Sequence, residues 1–215
     1  MKHLNLILII LILSCCPLHP VYAFLDKDIR LLTMRDGLAD NTIPCIYKDE
    51  DGFMWFGTDN GLSRYDGKTI QNFKPANTYV SIAAIVRLSE DFLGIVSDGY
   101  LYYFIRKQET FFPIHTESDT AIGVFNVLSA DNSSFWGISG NRLILCQWEI
   151  RQGKEEEKTA VRVRIQKTFQ LLEEKGEVFS SLCYHEKAGN GIWLTTNRGN
   201  LILFHPDTAE AYQKI

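Results

Sequence analysis

Asp51-Gly52-Phe53-Met54-Trp55-Phe56-Gly57-Thr58, followed after one residue by Asn60-Gly61-Leu62-Ser63-Arg64-Tyr65-Asp66-Gly67, reads as a strand, a tight turn and a second strand. Asp59-Asn60-Gly61 carries the turn chemistry between the two runs, and Asp66-Gly67 supplies the next turn. The pattern recurs. Aligned on Trp55 with Leu62 behind it, it returns at Gly94 with Leu101, at Trp136 with Leu143 and at Trp193 with Leu201, in steps of 39, 42 and 57 residues. Each copy has an apolar or aromatic pair, then a small or polar turn, then Leu and a run ending in an aromatic or apolar residue. Four short strands and three turns consume about 40 residues, so the period is that of a four-stranded propeller blade. Helical repeats of similar length would need amphipathic runs of period 3.6, which are missing.

The expected fold is therefore all-β: about four four-stranded antiparallel blades of a β-propeller, near residues 37–75, 80–114, 121–170 and 178–215. In the first blade the strands fall near Ile43 to Lys48, Phe53 to Thr58, Leu62 to Asp66 and Thr69 to Lys74. A further strand is expected at about Ile29 to Thr33, placed to pair with the last blade. The long third step contains Arg151-Gln152-Gly153-Lys154-Glu155-Glu156-Glu157-Lys158, which reads as a solvated hairpin tip. Each blade contacts mainly its neighbours, so the unmatched ends of a short array expose apolar faces and strand edges. Four blades seldom close, and the expectation is an open or incomplete propeller.

Lys2 precedes the apolar run Leu4 to Leu13, which is short for a bilayer span and flanked as a secretory signal is. Val21-Tyr22-Ala23 fits the small-residue cleavage pattern, giving a signal peptide over residues 1–23 and a partial propeller domain over 24–215. A lipoprotein signal with Cys15 or Cys16 as the acylated residue is the competing reading. Either way the chain is exported to the periplasm and meets a membrane only through its signal or a lipid anchor. Removing residues 1–23 takes away Lys2 alone among the charged residues, so the formal net charge moves from −4 to −5. With no basic stripe, nucleic acid is excluded as a partner on electrostatic grounds.

The search for chemistry yields little. Asp49, Glu50 and Asp51 are adjacent carboxylates, yet Asp-Gly at a hairpin tip is a turn signal and the spacing is not that of a calcium loop. Trp55, Trp136 and Trp193 share one blade position and read as packing residues between blades. Tyr100, Tyr102 and Tyr103 break the alternation of their strand, so at least one must face solvent or a neighbour and could contact a ligand. His115, His185 and His205 fall at different blade positions without metal-ligand spacing. Cys45 and Cys183 each sit ten residues before their blade tryptophan, a tightly packed place on an inner strand. With Cys146 they make an odd number of mature cysteines, so no disulfide framework is assumed. No catalytic constellation, metal site or cofactor motif is expected, and the ligand-binding residues are not specified by the sequence.

Gly37-Leu38 with Asn41-Thr42-Ile43, then Asp51 to Thr58, Gly61-Leu62 and Arg64-Tyr65-Asp66-Gly67, resembles the two-component-regulator propeller repeat. The fourth copy, through Gly191 to Thr196 and Gly199, resembles it fairly, and the second and third are degenerate. The resemblance implies the periplasmic sensor region of a hybrid two-component system, responsive to glycan fragments and without enzyme activity of its own. It implies an oligosaccharide ligand, and a homodimer or association with the remaining blades of a sensor as partner. Kinase and output modules are absent from the sequence. A structural or interaction fragment of a larger sensor is the alternative, and a lyase-type propeller enzyme is the third class.

Overall fold

The structure, a computed structural model, describes residues 29–74, 80–116, 123–124, 126–129, 133–151, 160–185 and 191–214. The signal segment with Cys15 and Cys16, and residues 152–158 of the charged tip, lie outside the described residues. Residues Leu32–Ile215 belong to one compact unit.

Four antiparallel meanders follow one another along the chain. The first blade is β1 (Cys45–Lys48), β2 (Met54–Thr58), β3 (Gly61–Tyr65) and β4 (Ile70–Phe73), and the second is β5 (Ile82–Arg87), β6 (Phe92–Ser97), β7 (Tyr100–Ile105) and β8 (Thr110–Pro113). After the two-residue strand β9 (His115–Thr116), the third blade is β10 (Asn126–Ser129), β11 (Ser134–Ser139), β12 (Arg142–Arg151) and β13 (Ala160–Gln170). The fourth is β14 (Phe179–His185), β15 (Gly191–Thr196), β16 (Leu201–His205) and β17 (Glu210–Lys214). This is the architecture of a four-bladed β-propeller. The turns follow the sequence chemistry: Gly61 and Gly67 take φ of 112° and 96°, and the Asp66 carboxylate accepts from the backbone of Lys68 and Thr69 and from the Thr69 hydroxyl. Those bonds, the backbone one from Thr69 foremost, hold the Asp66 carboxyl down at about 2.

Two features depart from the sequence reading. No strand forms over 29–33; Thr33 instead caps a short 3-10 turn, Met34–Asp36. The third blade has five strands, since β9 runs parallel to β13 and pairs His115 with Arg162 and Thr116 with Val163. The long β12–β13 ribbon offers an outer edge that the shorter blades do not, and β9 covers part of it.

Blades pack through their first strands, β1 on β5, β5 on β10 and β10 on β14, which puts those strands innermost and the fourth strands outside. Among the described residues no strand of the first blade packs comparably on a strand of the fourth. Because side chains alternate across a strand, each blade has a leading face toward the next blade and a trailing face toward the previous one. The first seam joins Trp55, Leu62 and Phe73 to Ile82, Leu93, Ile95 and Phe104. The third joins Trp136, Ile138 and Leu143 to Leu182, Ile192, Leu194, Ile202 and Phe204. Burying each such Leu, Ile or Phe side chain stabilises by about 1.5–3 kcal/mol, so the seams hold the array together.

Candidate functional site

At the first seam the Asp49-Glu50-Asp51 turn does more than reverse the chain. Asp49 is buried, and its Oδ1 accepts from the Phe53 backbone N–H at 2.9 Å, closing the turn from the side-chain side. Its Oδ2 accepts from Trp55 Nε1 at 2.7 Å and from Arg106 Nη2 of the second blade at 3.0 Å. Arg106 also pairs with Asp51 and donates from Nη1 to the Glu90 carbonyl at 2.8 Å, while Arg87 pairs with Glu50 at 2.9 Å. The three carboxylates therefore tie the first blade to the second. A buried carboxylate with two side-chain donors and a backbone N–H is held by structural partners.

Arg64 makes a second link. Its guanidinium lies 5.0 Å from the Phe53 ring, 5.3 Å from Phe73 and 5.5 Å from Trp55, within cation–π range, and meets Glu109 of the second blade at 3.4 Å. Gln71 also donates to Glu109, which sits at φ 55° where β7 turns into β8.

The tyrosine cluster is divided by its strand. Tyr100 is 53% exposed, Tyr102 is half-buried, and Tyr103 is buried and stacked on Phe112 with centroids 5.3 Å apart. Tyr100 is the most exposed of the three. A groove of about 190 Å³ runs along the β12–β13 ribbon, lined by Gln147, Trp148, Glu149, Arg162, Val163 and Arg164. The ribbon's other side is apolar: Trp148 stacks on Phe135 at 5.7 Å and donates from Nε1 to the Leu88 carbonyl at 3.0 Å. The groove was missed in the sequence, although the alternation of Gln147, Glu149, Arg162 and Arg164 with Trp148 and Val163 is its signal.

The three histidines stand on β9, β14 and β16, in two different blades. Among the described residues no group of three or more His, Cys, Asp and Glu is arranged to hold a metal ion. Cys45 and Cys146 are packed, and desolvation pushes their thiols up to about 11 and about 12. Cys183 is exposed, contrary to the tight packing expected from its equivalence with Cys45. Among the described residues, no strand of the first blade packs on the fourth sheet as successive blades pack on one another.

Fold and seams together define a multi-bladed β-propeller with packed blade interfaces and a few open surfaces. Within it, residues 37–60, the first blade's opening half, match the family described as Two component regulator propeller. No curated protein matches the chain in sequence. Among solved structures, the chain is similar to the extracellular domain of the hybrid two component system BT3049 from B. thetaiotaomicron (14% identity, TM-score 0.55, 85% of this chain and 31% of that one). It is also similar to that of BT4673 from the same organism (17% identity, TM-score 0.51, 80% of this chain and 27% of that one). A third similar structure is the inactive H270A virginiamycin B lyase from Staphylococcus aureus with quinupristin (11% identity, TM-score 0.56, 83% of this chain and 56% of that one). At these identities the likeness is one of fold, and the chain spans under a third of either extracellular domain.

Proposed function

We propose that this chain contributes a non-enzymatic, ligand-sensing propeller to an exported, periplasmic sensor of the two-component type, and that its ligand is derived from a glycan. The observation that carries the reading is the first blade, whose repeat matches the two component regulator propeller and whose fold is shared with extracellular sensor domains. The groove of the third blade supports the ligand class. Its amide, carboxylate and guanidinium groups are the planar donors and acceptors that fit sugar hydroxyls and uronate carboxylates. A melting-temperature screen of the purified chain against neutral and uronate-bearing oligosaccharides tests this. A stabilising oligosaccharide whose shift is lost in Arg162→Ala, with the unliganded melt unchanged, is the expected result. A panel that leaves the melt unmoved, or turnover of any member, contradicts the reading.

A further inference from the structure

The outer strand of the third blade is unlike the outer strands of the other three. β4 and β8 have four residues each and β17 has five, whereas β13 has eleven. Its inner side is paired with β12 from Ala160 to Gln170. Its outer side meets β9 at Arg162 and Val163, and among the described residues no strand pairs with it there from Arg164 to Gln170. Residues 164–168 are all exposed. A row of backbone N–H and C=O groups at such an edge is a template for one more strand, and β9 shows that this edge takes a parallel one.

The charge on this strand is also out of keeping with the chain. The protein carries a formal net charge of −4, yet β13 holds Arg162, Arg164 and Lys167 and no acidic residue. In an unbroken strand Lys167 would point away from Arg162 and Arg164, because side chains alternate. A bulge changes that. The register shifts opposite Leu145 and Cys146 and leaves Gln166 as the extra residue, so Lys167 pairs with Leu145, Arg164 with Gln147 and Arg162 with Glu149. Leu145, Gln147 and Glu149 share one face of β12, and the bulge therefore sets all three cations on that face. The one carboxylate of the two strands, Glu149, is bonded to Arg151 at 3.1 Å. The other face presents Ile165, 44% exposed, opposite Cys146.

We infer that the outer edge of β13, from Arg164 to Gln170, takes up an extended acidic segment of another protein as an added strand, with carboxylates on alternate residues toward Arg164 and Lys167 and apolar side chains toward Ile165. Charge complementarity chooses the occupant. A second copy of β13 would bring like charges together, which is how an edge is guarded against its own kind. An anionic polysaccharide would meet the cations but has no peptide backbone to complete the ladder. Main-chain bonds supply the affinity of the added strand, and the cations steer it and fix its register. The inference rests on β13 and its register, and Lys167 does not line the groove of the ligand reading, so the two stand or fall separately.

The test is an anisotropy titration of the whole chain into a fluorescein-labelled peptide of about nine alternating Glu and Val residues, long enough to span the edge. Hydrogen exchange of residues 165–170, read by mass spectrometry, locates the contact. The expected result is saturable binding that slows exchange at 165–170. Lys167→Glu should weaken it at least about tenfold with the unliganded melt unchanged, and N-methylation of the peptide's central amides should weaken it as much. Equal affinity for the N-methylated peptide would reduce the site to a charged surface. A polyuronate that slows exchange at 165–170 where the peptide does not would make it a glycan surface, and slow exchange there in the unbound chain would mean that the edge is covered. Each of these results, or a peptide that does not bind saturably, overturns the inference.

Discussion

Trp55 and Trp193 hold the same place in two copies of one repeat, yet the first is fully buried and the second is half-buried. Trp55 has Phe73 beside it, Phe104 delivered by the next blade, Arg64 over its ring and Asp49 on its indole N–H. Behind Trp193 the trailing side of the sheet is buried against the third blade. The difference shows that a blade fixes which way its side chains point, while the neighbour decides which of them become core. Burial in such an array belongs to seams and not to repeats.

The largest expected effect sharpens this contrast directly. Trp55→Ala should destabilise the chain by about 3–5 kcal/mol, because it leaves a cavity at the first seam and strands the Asp49 carboxylate. Trp193→Ala should cost less than half of that, since its indole is only half-buried. Urea denaturation of the two variants checks the pair, and equal losses would mean that the fourth blade's leading face is covered.

Next in size is the polar tie across the same seam. Asp49→Ala removes the acceptor of Trp55 Nε1 and of Arg106, two donors of which one is buried and the other mostly so. A loss of about 2–4 kcal/mol is expected, and Asp51→Ala, at an exposed carboxylate on the same arginine, should cost no more than about 1 kcal/mol. Similar losses from both would show that Asp49 acts only as a turn residue.

How far the sequence carried can be judged residue by residue. The strands of the first blade were legible because Trp55, Leu62, Gly61 and Asp66-Gly67 encode alternation and turns within a few residues of one another. The strand expected at 29–33 had alternation, and alternation alone does not make a ladder. Asp49 was read as a turn residue, which it is, but its bond to Arg106 joins positions 57 apart in the chain with no local pattern between them. The pairing of β9 with β13 was hidden for the same reason. Cys183 was placed correctly on the inner strand by its equivalence with Cys45. Its exposure could not be read from the repeat, because it depends on what lies beyond the fourth sheet.

The effect of the thiols emerges only at alkaline pH. Burial raises Cys45 and Cys146 to about 11 and about 12 from the usual 9.0, so the folded chain keeps protons that an unfolded thiol releases. Their contribution to stability is complete below pH 9 and is lost as the pH rises through the folded values, at up to about 1.4 kcal/mol per pH unit for each. The urea midpoint should therefore fall between pH 9 and 11, and Cys45→Ala combined with Cys146→Ala should flatten that fall.

The most direct measurement is the native-state alkylation rate of all three cysteines at pH 8, read by mass spectrometry on the intact fold. The account predicts that Cys183 reacts at the rate of a free thiol while Cys45 and Cys146 lag by about a hundredfold or more, because the packed seams open only in rare fluctuations. Equal protection of Cys183 would contradict it, since the fourth blade would then have a neighbour and the array would be closed.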